Sequence, residues 1–170
     1  TMREPRNLTE FSATCSRAGT VGKILSQLID AGASDPLEET VPLLPSLRAS
    51  DLIEALPNGW PDEDFCRAPQ LAGQVYETGP LARQVSNPLV ARLITHRHRI
   101  AARLFARLVD LSDCASRMRY PLPTDMPPMI DAASLGDGVG LARVETARGV
   151  LLHAVRLEGD TIADYAVVAP

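Results

Sequence analysis

The apolar positions of this chain keep helical spacing up to about residue 120 and alternate after about residue 138. Val21, Ile24, Leu25, Leu28 and Ile29 follow the i, i+3, i+4, i+7 pattern and predict a helix over 20–31. Thr20 can cap its start, and Gly32 stands where a left-handed stop is wanted. Residues 1–15 are polar and read as irregular, and Pro36, Pro42 and Pro45 make 33–47 a loop. A short helix follows over 48–56, with Leu52, Ile53 and Leu56 inward and Pro57-Asn58-Gly59 stopping it. Trp60-Pro61-Asp62-Glu63-Asp64 reads as a turn-rich acidic patch. Residues 65–85 have no clean period, because Pro69, Gly73 and Gly79-Pro80 interrupt them, and Glu77 is placed in a loop.

One long central helix is predicted over 88–119. Asn87 caps it, Pro88 fits its first turn, where no amide hydrogen is needed, and Pro121 and Pro123 end it. Leu93, Ile100, Leu104, Leu108, Leu111, Ala115 and Met118 recur at steps of three, four or seven, the pattern of a buried seam. Arg92, His96, Arg99 and Arg103 form a basic stripe on another face of it. That stripe reads first as a solvated face and second as a docking surface for an anion or a partner.

Residues 121–138, with Pro121, Pro123, Pro127 and Pro128, read as a proline-rich connector. Beyond it, 139–146, 149–157 and 161–168 alternate and are rich in β-branched residues, so they predict strands. Gly159-Asp160 joins the last two as a two-residue hairpin turn. Counting back from it pairs Leu157 with Ile162, Val155 with Asp164 and His153 with Ala166. Both faces of this hairpin are largely apolar, so both are expected to be covered by helices or a partner. The fold class is α+β, mainly helical, with a small C-terminal antiparallel β-meander. The chain is read as a single domain, helical over 1–120, with the connector at 121–138 and the meander at 139–170.

Composition narrows the picture. With 170 residues, 45% hydrophobic and 22% charged, the chain is long enough for one domain with its own core. A net charge of −4 argues against general nucleic-acid binding, which needs a basic excess to release counterions. No apolar run approaches membrane-spanning length, and the first residues lack the layout of a secretion signal. Thr1 ahead of Met2 reads as an artificial junction, with the natural chain expected to extend further. Three cysteines, Cys15, Cys66 and Cys114, lie far apart, which fits reduced thiols and a cytoplasmic location.

Self-contained metal binding is not expected, since no Cys-x-x-Cys pair is present and His96 and His98 point to different helix faces. Cys66 beside Arg67 reads as a structural thiol, with a lowered pKa as the alternative. Nucleophile elbows, lysine-bearing phosphate loops and zinc helices are absent, so no catalytic residue is assigned. Gly136-x-Gly138-x-Gly140 opens a strand instead of leading into a helix, which denies it phosphate-cradling geometry. His153 reads as a buried histidine with Asp164 diagonally across as its partner. Arg148, at a strand corner, either pairs with an acid such as Glu145 or Glu77 or points into a site.

Two segments carry a family resemblance. Residues 136–153 resemble the Gly-x-Gly…Glu-x-Pro-Arg-Gly-x-Leu-x-His segment of nickel–iron hydrogenase large subunits, and 77–83 resemble their Glu-Val-Gly-Pro-Leu-Ala-Arg segment. The arginine-rich helix and the final Val167-Val168-Ala169-Pro170 follow in matching order, so the resemblance covers about 65–170. It implies a large-subunit-like fold and makes Arg148 the arginine that overhangs the metal centre, with Glu145 and His153 framing it. Glu77 and Arg83 are implied to face the same cofactor or partner. Two departures stand out: Ala147 replaces the family's proline, and the thiolate pairs that hold nickel and iron are missing.

That combination is similar to hydrogenase expression/formation proteins of the HupK/HoxV type. It implies a maturation role without catalysis: a scaffold or chaperone for the iron–cyanide–carbonyl unit or for the immature large subunit. No cofactor would be held by this chain alone. The iron unit would be bound transiently, with Arg148 donating to cyanide nitrogens. Implied partners are the hydrogenase large subunit and other maturation proteins, with neither nucleic acid nor membrane. A fragment of a catalytic large subunit and a metal-free interaction module that docks through the arginine stripe are the alternatives.

Overall fold

The computed structural model describes residues 41–120 and 128–170, the backbone of Gly19–Asp30, and positions 9, 10, 13 and 17 ahead of it. Contacts divide the chain into two compact units, Thr1–Thr40 with Arg83–Leu122 and Val41–Ala82 with Pro123–Pro170.

The first unit is helical. Its elements are α1 (Gly19–Asp30), α5 (Pro88–Thr95) and α6 (Arg99–Arg119). α1 begins one residue before Thr20, so Thr20 lies inside the helix and does not cap it. Ile24, expected inward, is exposed; Gly32 lies outside the described residues, and the side chains of Val21, Leu25, Leu28 and Ile29 do too. Asn87 caps α5 as expected, accepting from the amides of Leu89 and Val90 at 3.0 and 3.3 Å.

The single long helix is corrected to two. Arg97 adopts φ +61°. The His98 amide donates to the Leu93 carbonyl at 2.9 Å, and the Arg97 amide to that of Ile94 at 2.9 Å. That is the Schellman closure of a helix end, built on an arginine where glycine is usual. The break changes which face of the following helix is buried. α6 packs against α5 and α1 through Ala101, Ala102, Phe105, Ala106 and Val109. Of the predicted seam, Leu93 is buried and Leu104 half-buried, while Ile100, Leu108, Leu111, Ala115 and Met118 are exposed.

The second unit is a four-stranded antiparallel sheet in the order β1-β2-β3-β4, with helices on one face. Its elements are α2 (Ala49–Ala55), α3 (Glu63–Arg67), β1 (Ile130–Gly136), β2 (Val139–Glu145), β3 (Val150–Glu158) and β4 (Thr161–Val168); a four-residue helix, α4 (Pro80–Arg83), precedes the helical unit. β1 lies inside the stretch expected as a connector. The prolines end at Pro128, and 130–135 then alternate half-buried and exposed as edge strands do. The acidic patch is a helix start: Asp62 caps α3 by accepting from the Phe65 amide at 2.8 Å.

Leu141, Leu152, Ala154 and Val168 of the sheet pack on Leu52 and Leu56 of the α2 region and Phe65 of α3. The opposite face keeps Ile130, Tyr165 and Val167 exposed, so helices of this chain cover one of the two faces. Leu157 pairs with Ile162 as counted, but a bulge between Arg156 and Leu157 shifts the pairs beyond it: Val155 meets Tyr165 and His153 meets Val167. One extra residue reverses which side chains share a face. No described helix is long and apolar enough to cross a membrane.

Candidate functional site

The two segments singled out in the sequence meet in space. β2 leaves its hairpin through Asp137-Gly138, whose φ values of +48° and +74° are those of a type I′ turn. The strand runs to Glu145, and the chain reverses through Thr146-Ala147-Arg148-Gly149. The Thr146 amide donates to the Gly149 carbonyl at 2.8 Å. The Thr146 hydroxyl accepts from the amides of Gly149 and Arg148 at 3.2 and 3.3 Å. One side chain therefore organises the corner and leaves Arg148 exposed at its tip.

Residues 77–79 lie across this corner. The Glu77 amide donates to the Pro42 carbonyl at 2.8 Å, and the Glu77 carbonyl accepts from Leu44 at 2.9 Å, a short parallel bridge that fixes the segment. The Val150 amide donates to the Thr78 hydroxyl at 3.4 Å. Gly79, at φ +96°, packs so closely that a Cβ on it would lie 2.6 Å from the Arg148 carbonyl oxygen. A Cβ on Gly149 would overlap the Thr78 hydroxyl. Backbone rests on backbone here, which explains the glycine of each motif. Beside the contact is a cavity of about 150 Å³ lined by Leu44, Phe65, Tyr76, Thr78, Val150 and Pro170, among others. It has room for an apolar group about the size of a phenyl ring.

Of the other candidates, Glu145 is not paired with Arg148. It forms an ion pair with Arg143, which is 4% exposed and also donates to the Pro128 carbonyl at 3.4 Å. Arg143 was not among the sequence candidates, although alternation places it on the buried face with Leu141. His153 is half-buried, and its Nδ1 meets the Tyr165 hydroxyl; the bulge carries Asp164 away, opposite Arg156 in the strand register. Arg83 forks onto Asp110 of α6, with Nε to Oδ1 at 2.9 Å and Nη2 to Oδ2 at 2.7 Å. That bond holds the Asp110 carboxyl below its ordinary range, against the opposing effect of burial. The neighbouring Gln84 reaches Asp113 at 2.7 Å.

The basic stripe is divided by the break at Arg97: Arg92 and the capping residue His96 belong to α5, and Arg99 and Arg103 to α6. Cys66 does not gain acidity from Arg67, which pairs with Glu63. Burial, with Asp62 and Glu63 nearby, raises its thiol pKa, against a hydrogen bond from the Val167 amide. Among the described residues no group of three or more His, Cys, Asp or Glu is placed to hold a metal.

No family model matches the chain. It is 34% identical over 107 residues to the hydrogenase expression/formation protein HupK of Bradyrhizobium diazoefficiens, covering 62% of this chain and 29% of that protein. Against the expression/formation protein HupV of Azotobacter chroococcum it is 34% identical over 100 residues, 59% of this chain and 26% of that one. Against the expression/formation protein HoxV of Cupriavidus necator it is 33% identical over 149 residues, 85% of this chain and 37% of that one. The chain thus spans roughly a third of the length of these curated relatives. The resemblance to hydrogenase expression/formation proteins of the HupK/HoxV type is borne out: this chain is similar in sequence to three of them.

Proposed function

We propose that this chain serves hydrogenase maturation as an assembly module that engages the immature nickel–iron large subunit through the Arg148 corner. The observation that carries the reading is the interlock of Thr78-Gly79 with Arg148-Gly149, which fixes the corner backbone and leaves the guanidinium exposed. A fixed backbone with one planar, always-charged donor fork suits recognition of a carboxylate or carbonyl on another surface. The names of the relatives supply the context.

The described residues do not fit an iron site of their own. The Cys66 thiol is pushed toward its neutral form, Glu145 is held by Arg143, and Arg148 is a donor that cannot ligate. The iron–cyanide–carbonyl unit therefore enters the proposal as cargo delivered to the large subunit, with Arg148 able to donate to cyanide nitrogens during transfer.

The test is binding of the purified chain to the immature large subunit from the same genome. Arg148→Ala is expected to weaken binding about tenfold or more, about 1.4 kcal/mol, without shifting the thermal midpoint. Undiminished binding by Arg148→Ala, or no binding by the unaltered chain, would overturn the reading.

A further inference from the structure

The exposed side of α6 has the pattern of a helix-docking seam. Leu104, Leu108, Leu111, Ala115 and Met118 follow each other at steps of four, three, four and three, the spacing of a coiled-coil a/d stripe. They span two heptads, about 21 Å of helix. Leu108 is 38% exposed, Leu111 67% and Met118 86%, while the Ala101–Val109 side of the same helix supplies the contacts to α5 and α1. The helix therefore carries two apolar faces and buries one of them. A contiguous exposed stripe of large apolar side chains marks an interaction surface.

Charge identifies the occupant. Arg107 and Arg119 stand at the flanking g and e positions, one on each side of the seam, and both are exposed. The acids of α6, Asp110 and Asp113, lie round the helix from the seam and are engaged by Arg83 and Gln84. Residues 83–120 carry eight arginines against those two aspartates, an excess of six positive charges in a chain of net charge −4. A second copy of α6 laid on the seam would bring two surfaces with the same positive excess together, which costs association. We propose that the seam docks an amphipathic helix of a partner protein with leucine-type residues on its apolar stripe and Asp or Glu at the flanks. This surface is independent of the Arg148 corner and goes beyond the proposal made for it.

The experiment uses the whole chain and two synthetic 21-residue helical peptides with identical Leu stripes, one flanked by Glu and one by Lys, read by fluorescence anisotropy. The Glu-flanked peptide is expected to bind about tenfold or more tightly than the Lys-flanked one. Arg107→Glu with Arg119→Glu should reverse that order, and Leu111→Ser with Met118→Ser should remove both. These side chains are exposed, and an unchanged circular dichroism spectrum would verify folding. Equal affinity for the two peptides, or binding to neither, would overturn the proposal. So would a dimer in sedimentation that Leu111→Ser dissolves, because the seam would then belong to a second copy.

Discussion

Arg143 and Arg148 lie five residues apart on one hairpin and have opposite environments. Arg143 sits on the helix-covered face of β2, 4% exposed, and its charge is matched by Glu145 within the same strand. Arg148 sits at the tip of the following corner, past the last strand pair, with its side chain in solvent and its carbonyl packed on Gly79. Alternation along the strand decides the first environment and the Thr146-based reversal decides the second. Residue type alone therefore says little about role: one arginine belongs to the core and the other is presented outward.

Substitution should expose that difference most strongly at Arg143. Arg143→Ala leaves Glu145 buried without its guanidinium and should destabilise the unit by about 3–5 kcal/mol, whereas Arg148→Ala should stay within about 0.5 kcal/mol of the unaltered chain. Chemical denaturation measures both. The double change Arg143→Leu with Glu145→Leu should recover most of the loss, because it removes both charges of the buried ion pair together. A double variant as unstable as Arg143→Ala would mean that the pair does more than balance charge.

Next in size is the interlock. Gly79→Val places a side chain against the Arg148 carbonyl at a φ that branched residues avoid, and should cost about 1–3 kcal/mol. Amides of residues 146–150 should then exchange faster with solvent. Unchanged exchange there would mean the corner stands without the 77–79 segment.

The Arg83–Asp110 fork gives a third arginine to compare, on the helical side. Its carboxyl pKa is lowered in the folded state, so its stabilisation is fully present above the ordinary carboxylate range, about pH 4. It is lost as pH falls through the lowered folded value. Asp110→Asn should therefore flatten the acid limb of the stability curve, and an acid limb of unchanged steepness would contradict the assignment. The smallest expected effect is at the helix break. Arg97→Gly relieves a left-handed arginine and should stabilise the helical unit by roughly 0.5–1 kcal/mol, seen as a higher midpoint in thermal unfolding.

These contrasts also show which features the sequence made legible. The last three strands were readable because their signals are local: β-branched alternation and the Gly159-Asp160 turn. The bulge after Arg156 was not, since no residue type announces an extra position, and it moved His153 from Asp164 to Tyr165. The break in the long helix was hidden because Arg97 is neither glycine nor proline. A period running through it put the burial on Leu108 and Leu111, where solvent lies, in place of Phe105 and Val109. At the candidate site the motifs identified the corner and the 77–79 segment. Their contact through Thr78, Gly79 and Gly149 depends on tertiary packing across about seventy residues of chain.

The most direct measurement is hydrogen exchange on the chain with and without the immature large subunit. Slowed exchange is expected at Arg148, Gly149 and Val150 in the complex, with loss of that protection in Arg148→Ala. Protection elsewhere in a stable complex, with the corner exchanging as in the free chain, would contradict it.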